Sequence, residues 1–233
     1  MSLTDQIIYE DNHLLAVNKL PGQLVQGDKS GDICLAEEIK AFLKERDHKP
    51  GNVFCGVVHR LDRPVSGVVI FAKTSKALTR MNELVKSRDF QKKYHAVTKA
   101  LPPHEEGHLE DYLIRNERLN KSFVTDNPHA EGAKLAVLDY RVIATSTGGY
   151  HLLEIELHTG RHHQIRCQLA HIGCPIKGDL KYGFPRSNTD GSISLHSYSI
   201  QFDHPVRHEP ITITAPDPWN LFTPSVRETQ EKN

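Results

Sequence analysis

Nine consecutive residues, His59-Arg60-Leu61-Asp62-Arg63-Pro64-Val65-Ser66-Gly67, hold the densest chemistry of the chain. One carboxylate, Asp62, stands between two arginines, directly before a proline turn and a glycine, with the apolar run Val68-Val69-Ile70-Phe71 behind it. Flanking guanidinium groups favour a carboxylate's ionised form. A permanent anion on a rigid turn suits nucleophilic or electrostatic work better than general-acid work. A second dense segment reads Thr159-Gly160-Arg161-His162-His163-Gln164-Ile165-Arg166 and continues as Ala170-His171-Ile172-Gly173-Cys174-Pro175-Ile176-Lys177-Gly178-Asp179. Between the two lies Lys92-Lys93-Tyr94-His95-Ala96, with its tyrosine 32 residues past Asp62.

These residues need a frame. Ile7-Ile8-Tyr9 and Leu14-Leu15-Ala16-Val17 read as a hairpin about a polar turn. Asn18-Lys19-Leu20-Pro21-Gly22 ends the second strand with loop residues. Leu35, Ile39, Phe42 and Leu43 share one helical face, which predicts a helix over 34–46. Short strands are expected near Val57-Val58 and over 67–72, then a helix capped by Ser75 and carrying Leu78, Met81, Leu84 and Val85. Lys93 to Val97 reads as a strand, 108–146 as several antiparallel strands, and 150–158 as a half-buried strand by strict alternation. Thr159-Gly160 is expected to open a helix with Ile165, Leu169 and Ile172 inward, and strands recur at Ser194–Ile200 and Ile211–Ile213. The sum is an α+β fold, a mixed, mainly antiparallel central sheet with flanking helices. Residues 1–222 are expected to form one catalytic domain and 223–233 a polar tail.

Net charge over the 233 residues is zero, but its distribution is uneven. Residues 60–93 carry nine Lys/Arg against three acids, a balance of +6, and residues 159–186 five against one, a balance of +4. Positive charge thus follows the chemical motifs, as it would if a polyanion docked there. The four cysteines form no C-x-x-C pair, so buried free thiols in a reducing cytoplasm are the reading. No basic-then-apolar leader opens the chain and no 18-residue apolar run occurs, so neither export nor membrane insertion is indicated.

Taken together, the Asp62 segment, Tyr94, the 159–179 block and Asn18-Lys19-Leu20-Pro21-Gly22 resemble, in matching order, the motifs of the RluA family of RNA pseudouridine synthases. The resemblance spans residues 6 to about 215. It implies a uridine-to-pseudouridine isomerase acting on tRNA or large-subunit rRNA, without cofactor or metal. Asp62 would start the reaction by attacking C1′, attacking the base at C6, or taking the 2′ proton. Tyr94 would stack on the base and could accept the C5 proton. Arg161, at the helix start, is similar to the family arginine that pairs with the catalytic aspartate. Ile165 matches a position packing on the base, Arg60 one that fills the gap left by a flipped nucleotide, and His59, Arg63 and Arg166 are further candidate RNA contacts. Many relatives carry an N-terminal S4 domain; with the first strand near residue 6, a stand-alone, monomeric catalytic domain is expected. Val65, where the family usually has Thr, and Cys167-Gln168 depart from the pattern.

Other chemistries fit less well. His162, His163 and His171 have no spacing of recognised metal ligands. His-Arg-x-Asp lacks the remaining elements of a kinase loop. An RNA hydrolase would want a metal or a histidine pair. A non-catalytic RNA chaperone on the same fold is the competing class.

Overall fold

The computed structural model describes residues 2–222, so the expected tail at 223–233 lies outside the described residues. Eleven strands form one continuous sheet. In chain order the elements are α1 (Leu3–Gln6), β1 (Ile7–Glu10), β2 (Leu14–Lys19), α2 (Leu35–Arg46), β3 (Gly56–Val57), β4 (Ser66–Ala72), α3 (Ser75–Ser87) and β5 (Gln91–Thr98). There follow β6 (Glu106–Asn116), β7 (Lys121–Thr125), β8 (Lys134–Thr145), β9 (His151–Leu157), α4 (Gln164–His171), β10 (Leu195–Asp203) and β11 (Pro210–Thr214). The order across the sheet is β1-β2-β4-β10-β5-β9-β8-β6-β7, with β11 on β10 and β3 on β4. Only β4 and β10 run parallel; every other pairing is antiparallel. The α+β architecture with a mainly antiparallel sheet is the one expected.

Alternation along the strands distributes the core. On β2, Leu14 and Ala16 pack with Val68, Ile70 and Met81 on the α3 side. Leu15 and Val17 pack with Ile39, Leu43, Val69 and Phe71 on the α2 side. The strands β2 and β4 are therefore apolar on both faces, which is why they read as continuous hydrophobic runs. The third cluster joins Tyr94, Ile155, Leu153 and Tyr140 of the sheet to Ile165 and Leu169 of α4. Burying side chains such as Ile39 and Leu43 completely contributes about 1.5–3 kcal/mol each.

Three local expectations change. The strand β2 does not stop at Val17 but runs through Lys19, whose Nζ folds back to donate to the carbonyls of Leu20 (3.0 Å), Arg63 (3.0 Å) and Val65 (2.6 Å). The cap of α3 is Thr74 rather than Ser75, its hydroxyl accepting from Ala77 N–H at 3.1 Å. Most consequentially, α4 starts at Gln164, not at Thr159-Gly160. Residues 159–163 form a turn instead, held by the Gln164 side chain, whose Oε1 accepts from Thr159 Oγ1 (2.8 Å) and Arg161 N–H (3.0 Å).

Candidate active site

The segment from Val58 to Val65 links β3 to β4 and hangs over the sheet where β4 meets β10. Gly67 makes that meeting possible. Its φ is +112°, and a Cβ there would lie 2.3 Å from the Ser197 carbonyl oxygen, so only glycine fits. The loop is clamped from below by Lys19, and by Gly22 N–H donating to Arg63 O at 2.8 Å. Three carbonyl acceptors match the three N–H groups of an ammonium. Burial nevertheless draws the Lys19 pKa down to about 7, against the opposing pull of the Asp62 charge. Asp62 therefore sits on a turn fixed by backbone contacts on both sides, and its own carbonyl accepts from Val65 N–H at 3.0 Å.

Asp62 is partly exposed, and its ion-pair partner is Arg166. Nη1 of that arginine donates to Asp62 Oδ2 at 2.9 Å. The same guanidinium donates through Nε (2.7 Å) and Nη2 (2.9 Å) to the two oxygens of Asp179, a fully buried carboxylate, and lies over the Tyr182 ring at 5.1 Å. Such a fork holds two carboxylates at a fixed angle, which an ammonium could not do. His163 is the second neighbour, with Nε2 3.4 Å from Asp62 Oδ2. Asp62 Oδ1 receives no hydrogen bond from the described residues.

This arrangement corrects the reading of Arg161. Because residues 159–163 turn rather than coil, the Arg161 side chain is carried to β8, where Nε donates to Leu135 O at 2.7 Å. The aspartate is met instead by Arg166, in the first turn of α4. The flanking arginines do not neutralise Asp62 either. Arg63 donates through Nε to Gly22 O (3.0 Å) and pairs with Asp32 (2.8 Å), while Arg60 is exposed and has no polar partner among the described residues. His59, read as an RNA contact, accepts from Ile70 N–H on Nε2 at 3.2 Å and packs on Phe90, so it ties the loop to β4.

Tyr94 and Ile165 come together as expected. Both are buried, share one apolar cluster with Val65, and line the same cleft as Asp62. Burial pushes the Tyr94 phenol above its usual range, so it stands as a neutral phenol at physiological pH. Val65 is accounted for by this packing, its side chain being 2% exposed among Tyr94, Ile155 and Ile165. The other departure anchors α4. Cys167 Sγ lies 3.3 Å from Ser122 O, and Gln168 Nε2 donates to Asp111 at 2.7 Å.

The cleft has a volume of about 1250 Å³. Its lining includes nine Lys/Arg, among them Arg60, Lys86, Arg88, Arg115 and Lys181, against Asp28, Asp62 and Glu156. Both basic stretches of the sequence thus converge on one concave surface with Asp62 within it.

The family model for RNA pseudouridylate synthase matches residues 13–171. The chain belongs to that family. It is 34% identical over 233 aligned positions to tRNA pseudouridine synthase C of Pectobacterium carotovorum, covering 92% of this chain and 60% of that protein, so it spans less than two thirds of the relative's length. It is 32% identical to ribosomal large subunit pseudouridine synthase C of Buchnera aphidicola, over 91% of this chain and 67% of that one. The solved structure of human RNA pseudouridylate synthase domain containing 4 superposes with a TM-score of 0.78 at 23% identity, covering 93% of this chain and 90% of that chain, which shows the shared fold.

Two neutral histidines of the site make stability pH-dependent. Burial lowers the pKa of both His59 and His163 to about 3, against 6.5 ordinarily. The unfolded chain binds protons at both positions below pH 6.5 and the folded chain does not until near pH 3, so stability falls as pH drops through that window. Each histidine accounts for about 2 kcal/mol lost by pH 5. Urea midpoints measured at pH 7 and pH 5 are expected to differ accordingly, and the difference to shrink in His59→Gln.

Proposed function

We propose that this chain isomerises uridine to pseudouridine in RNA, with Asp62 as the group that opens the reaction and tRNA or large-subunit rRNA as substrate. The observation that carries this is the single ion-paired carboxylate, Asp62, held on a clamped turn in a cleft with three times as many basic as acidic side chains. A polyanionic strand is drawn to such a cleft, and one fixed carboxylate is what the isomerisation requires of the protein. Family membership and relatives named for tRNA and for ribosomal large-subunit RNA support the same reading.

The reaction breaks the N1–C1′ bond, turns the base and joins C5 to C1′. Asp62 opens it by one of three routes, attack at C1′, attack at C6 of the base, or removal of the 2′ proton, and the geometry is compatible with each. Arg166 keeps the carboxylate aimed. Tyr94, a neutral phenol on the cleft wall beside Ile165, suits stacking on the base better than deprotonating C5. Reaching C1′ and C5 together requires the uridine to leave its stack, at a cost of a few kcal/mol. Arg60 would stack where the base was; its exposure in the cleft, two residues before Asp62 and without a polar partner among the described residues, supports that reading. The chain is read as working in the cytoplasm, as a monomer and without an obligate protein partner; among the described residues no helix is long and apolar enough to cross a membrane.

Mapping pseudouridine by carbodiimide-induced primer-extension stops in tRNA and rRNA from cells with and without the gene tests the assignment. One or more positions should lose modification without the gene and regain it on complementation; an unchanged map would refute it. Arg60→Ala is expected to raise the RNA concentration for half-maximal rate about tenfold, roughly 1.4 kcal/mol, with thermal stability unchanged. Equal rates at limiting and saturating RNA would exclude the gap-filling role.

A further inference from the structure

The Asp62 carboxylate has two neighbouring nitrogen groups, Arg166 and His163, and only Arg166 has an evident task. His163 occupies a costly position. It is the N-cap of α4 yet makes no capping hydrogen bond, and its backbone lies in the left-handed region at φ +53°, which a residue with a Cβ seldom adopts. The residue is 8% exposed, and each ring nitrogen has a polar neighbour. Nδ1 is hydrogen-bonded to the Tyr182 hydroxyl at 3.1 Å, while Nε2 lies 3.4 Å from Asp62 Oδ2, at ion-pair distance and short of hydrogen-bond geometry.

The hydrogen bonds of Tyr182 favour one tautomer. The phenol oxygen accepts from Ser122 N–H at 2.9 Å, so its own hydrogen is free to go elsewhere. Its acceptors are His163 Nδ1 at 3.1 Å and Ser122 O at 3.3 Å. Donation to Nδ1 leaves the imidazole proton on Nε2, the nitrogen nearer the carboxylate. The opposite tautomer would set the Nε2 lone pair against Asp62 Oδ2. Both ends of the ring therefore ask for the same proton position.

We propose that His163 is a positioning residue for Asp62. Its Nε2–H, set by the Tyr182 hydroxyl, closes on Oδ2 beside Arg166 when substrate fills the cleft, as catalytic hydrogen bonds that are long in the free protein do, and leaves Oδ1 as the oxygen that meets the substrate. This rests on the reading of Asp62 as the reaction's opening group. The other charged and titratable groups around the ring are Arg166 on α4, the His162 ring stacked at 3.8 Å, and Lys181 beside Tyr182. Burial holds the imidazole neutral to about pH 3, so it donates without adding charge.

The test has two readouts on the full chain. Nitrogen-15 NMR of histidine-labelled protein without RNA, with the His163 signal identified by its loss in His163→Gln, should show a neutral Nε2–H ring at pH 7, and Tyr182→Phe should move it toward a mixture. A ring protonated on Nδ1 in the wild type would overturn the proposal whatever the enzymology. C5-tritium release from tRNA and rRNA lacking the modification is the second readout. In His163→Leu kcat should fall about thirtyfold, the worth of one charge-assisted hydrogen bond, with KM within about threefold and the acid limb of the profile moved to higher pH. In His163→Gln, whose amide can place a donor near Nε2, most of kcat should return and the acid limb stay as in the wild type. Should the leucine chain fail to fold, glutamine and Tyr182→Phe decide. A wild-type acid limb and rate in Tyr182→Phe, or a glutamine chain as slow as one lacking Asp62, would overturn the proposal. Absence of release by the wild type would instead remove the reading of Asp62, leaving the tautomer result standing.

Discussion

Replacing Asp62 by asparagine is expected to abolish turnover, a loss of at least about a thousandfold, while RNA affinity changes less than about tenfold, roughly 1.4 kcal/mol. The asymmetry follows from where Asp62 stands. It is one of three acids in a cleft lined by nine basic residues, so removing its charge does not weaken attraction for a polyanion. The amide keeps the shape and accepts from Arg166, but has no anionic oxygen with which to begin the reaction. Single-turnover rates and filter-binding affinities of the two proteins check both halves. Surviving turnover would mean that another group opens the reaction, and binding lost in parallel with rate would mean that Asp62 chiefly shapes the cleft.

Arg166 carries the second large effect, on stability as well as rate. Arg166→Met would leave Asp179, 1% exposed, as a buried carboxylate stripped of its fork, at a cost of about 3–5 kcal/mol. For a chain of this length that lowers the melting midpoint by about 10 °C, and turnover falls with it because Asp62 loses its ion pair. The double variant Arg166→Met, Asp179→Leu separates the two consequences. Removing both buried charges should restore most of the stability, but not the rate, since Asp62 stays without its arginine. Thermal melts and saturating-RNA rates on the three proteins give the answer; a double variant that regained turnover would show that Arg166 serves only the fold.

The sequence disclosed the scaffold where periodicity was strong. The helix face of Leu35, Ile39 and Leu43 and the alternation over 150–158 became α2 and β9 nearly residue for residue. It disclosed Asp62, Tyr94 and Ile165 through motif order, and the fold brings all three to one cleft. It misassigned the ion pair because two arginines lie five apart in one motif, and the choice depends on where α4 begins. Gln164, by bonding back to Thr159 and Arg161, delays the helix and sends Arg161 to β8, a local competition that hydrophobic spacing does not register. A usable signal was present. Asp179 is the lone acid in the basic stretch 159–186, as a buried partner for an arginine would be. Lys19, closing an otherwise apolar strand, was a similar sign of a buried cation with a fixed task. The roles of His163 and Tyr182 were not legible, since they depend on a left-handed cap and on β7 reaching Tyr182 across 60 residues of chain.

The central claim is that this chain uses Asp62 to exchange the uracil N1 link for a C5 link, and forming C5–C1′ must expel the hydrogen on C5. Tritium release from C5-labelled RNA is thus the most direct measurement, with tRNA and rRNA from cells lacking the gene assayed separately against wild type and Asp62→Asn. Release by the wild type from at least one pool, absent in the variant, is the predicted result. No release from either pool while the RNA is still bound would contradict the account and leave an RNA-binding chaperone on the same fold.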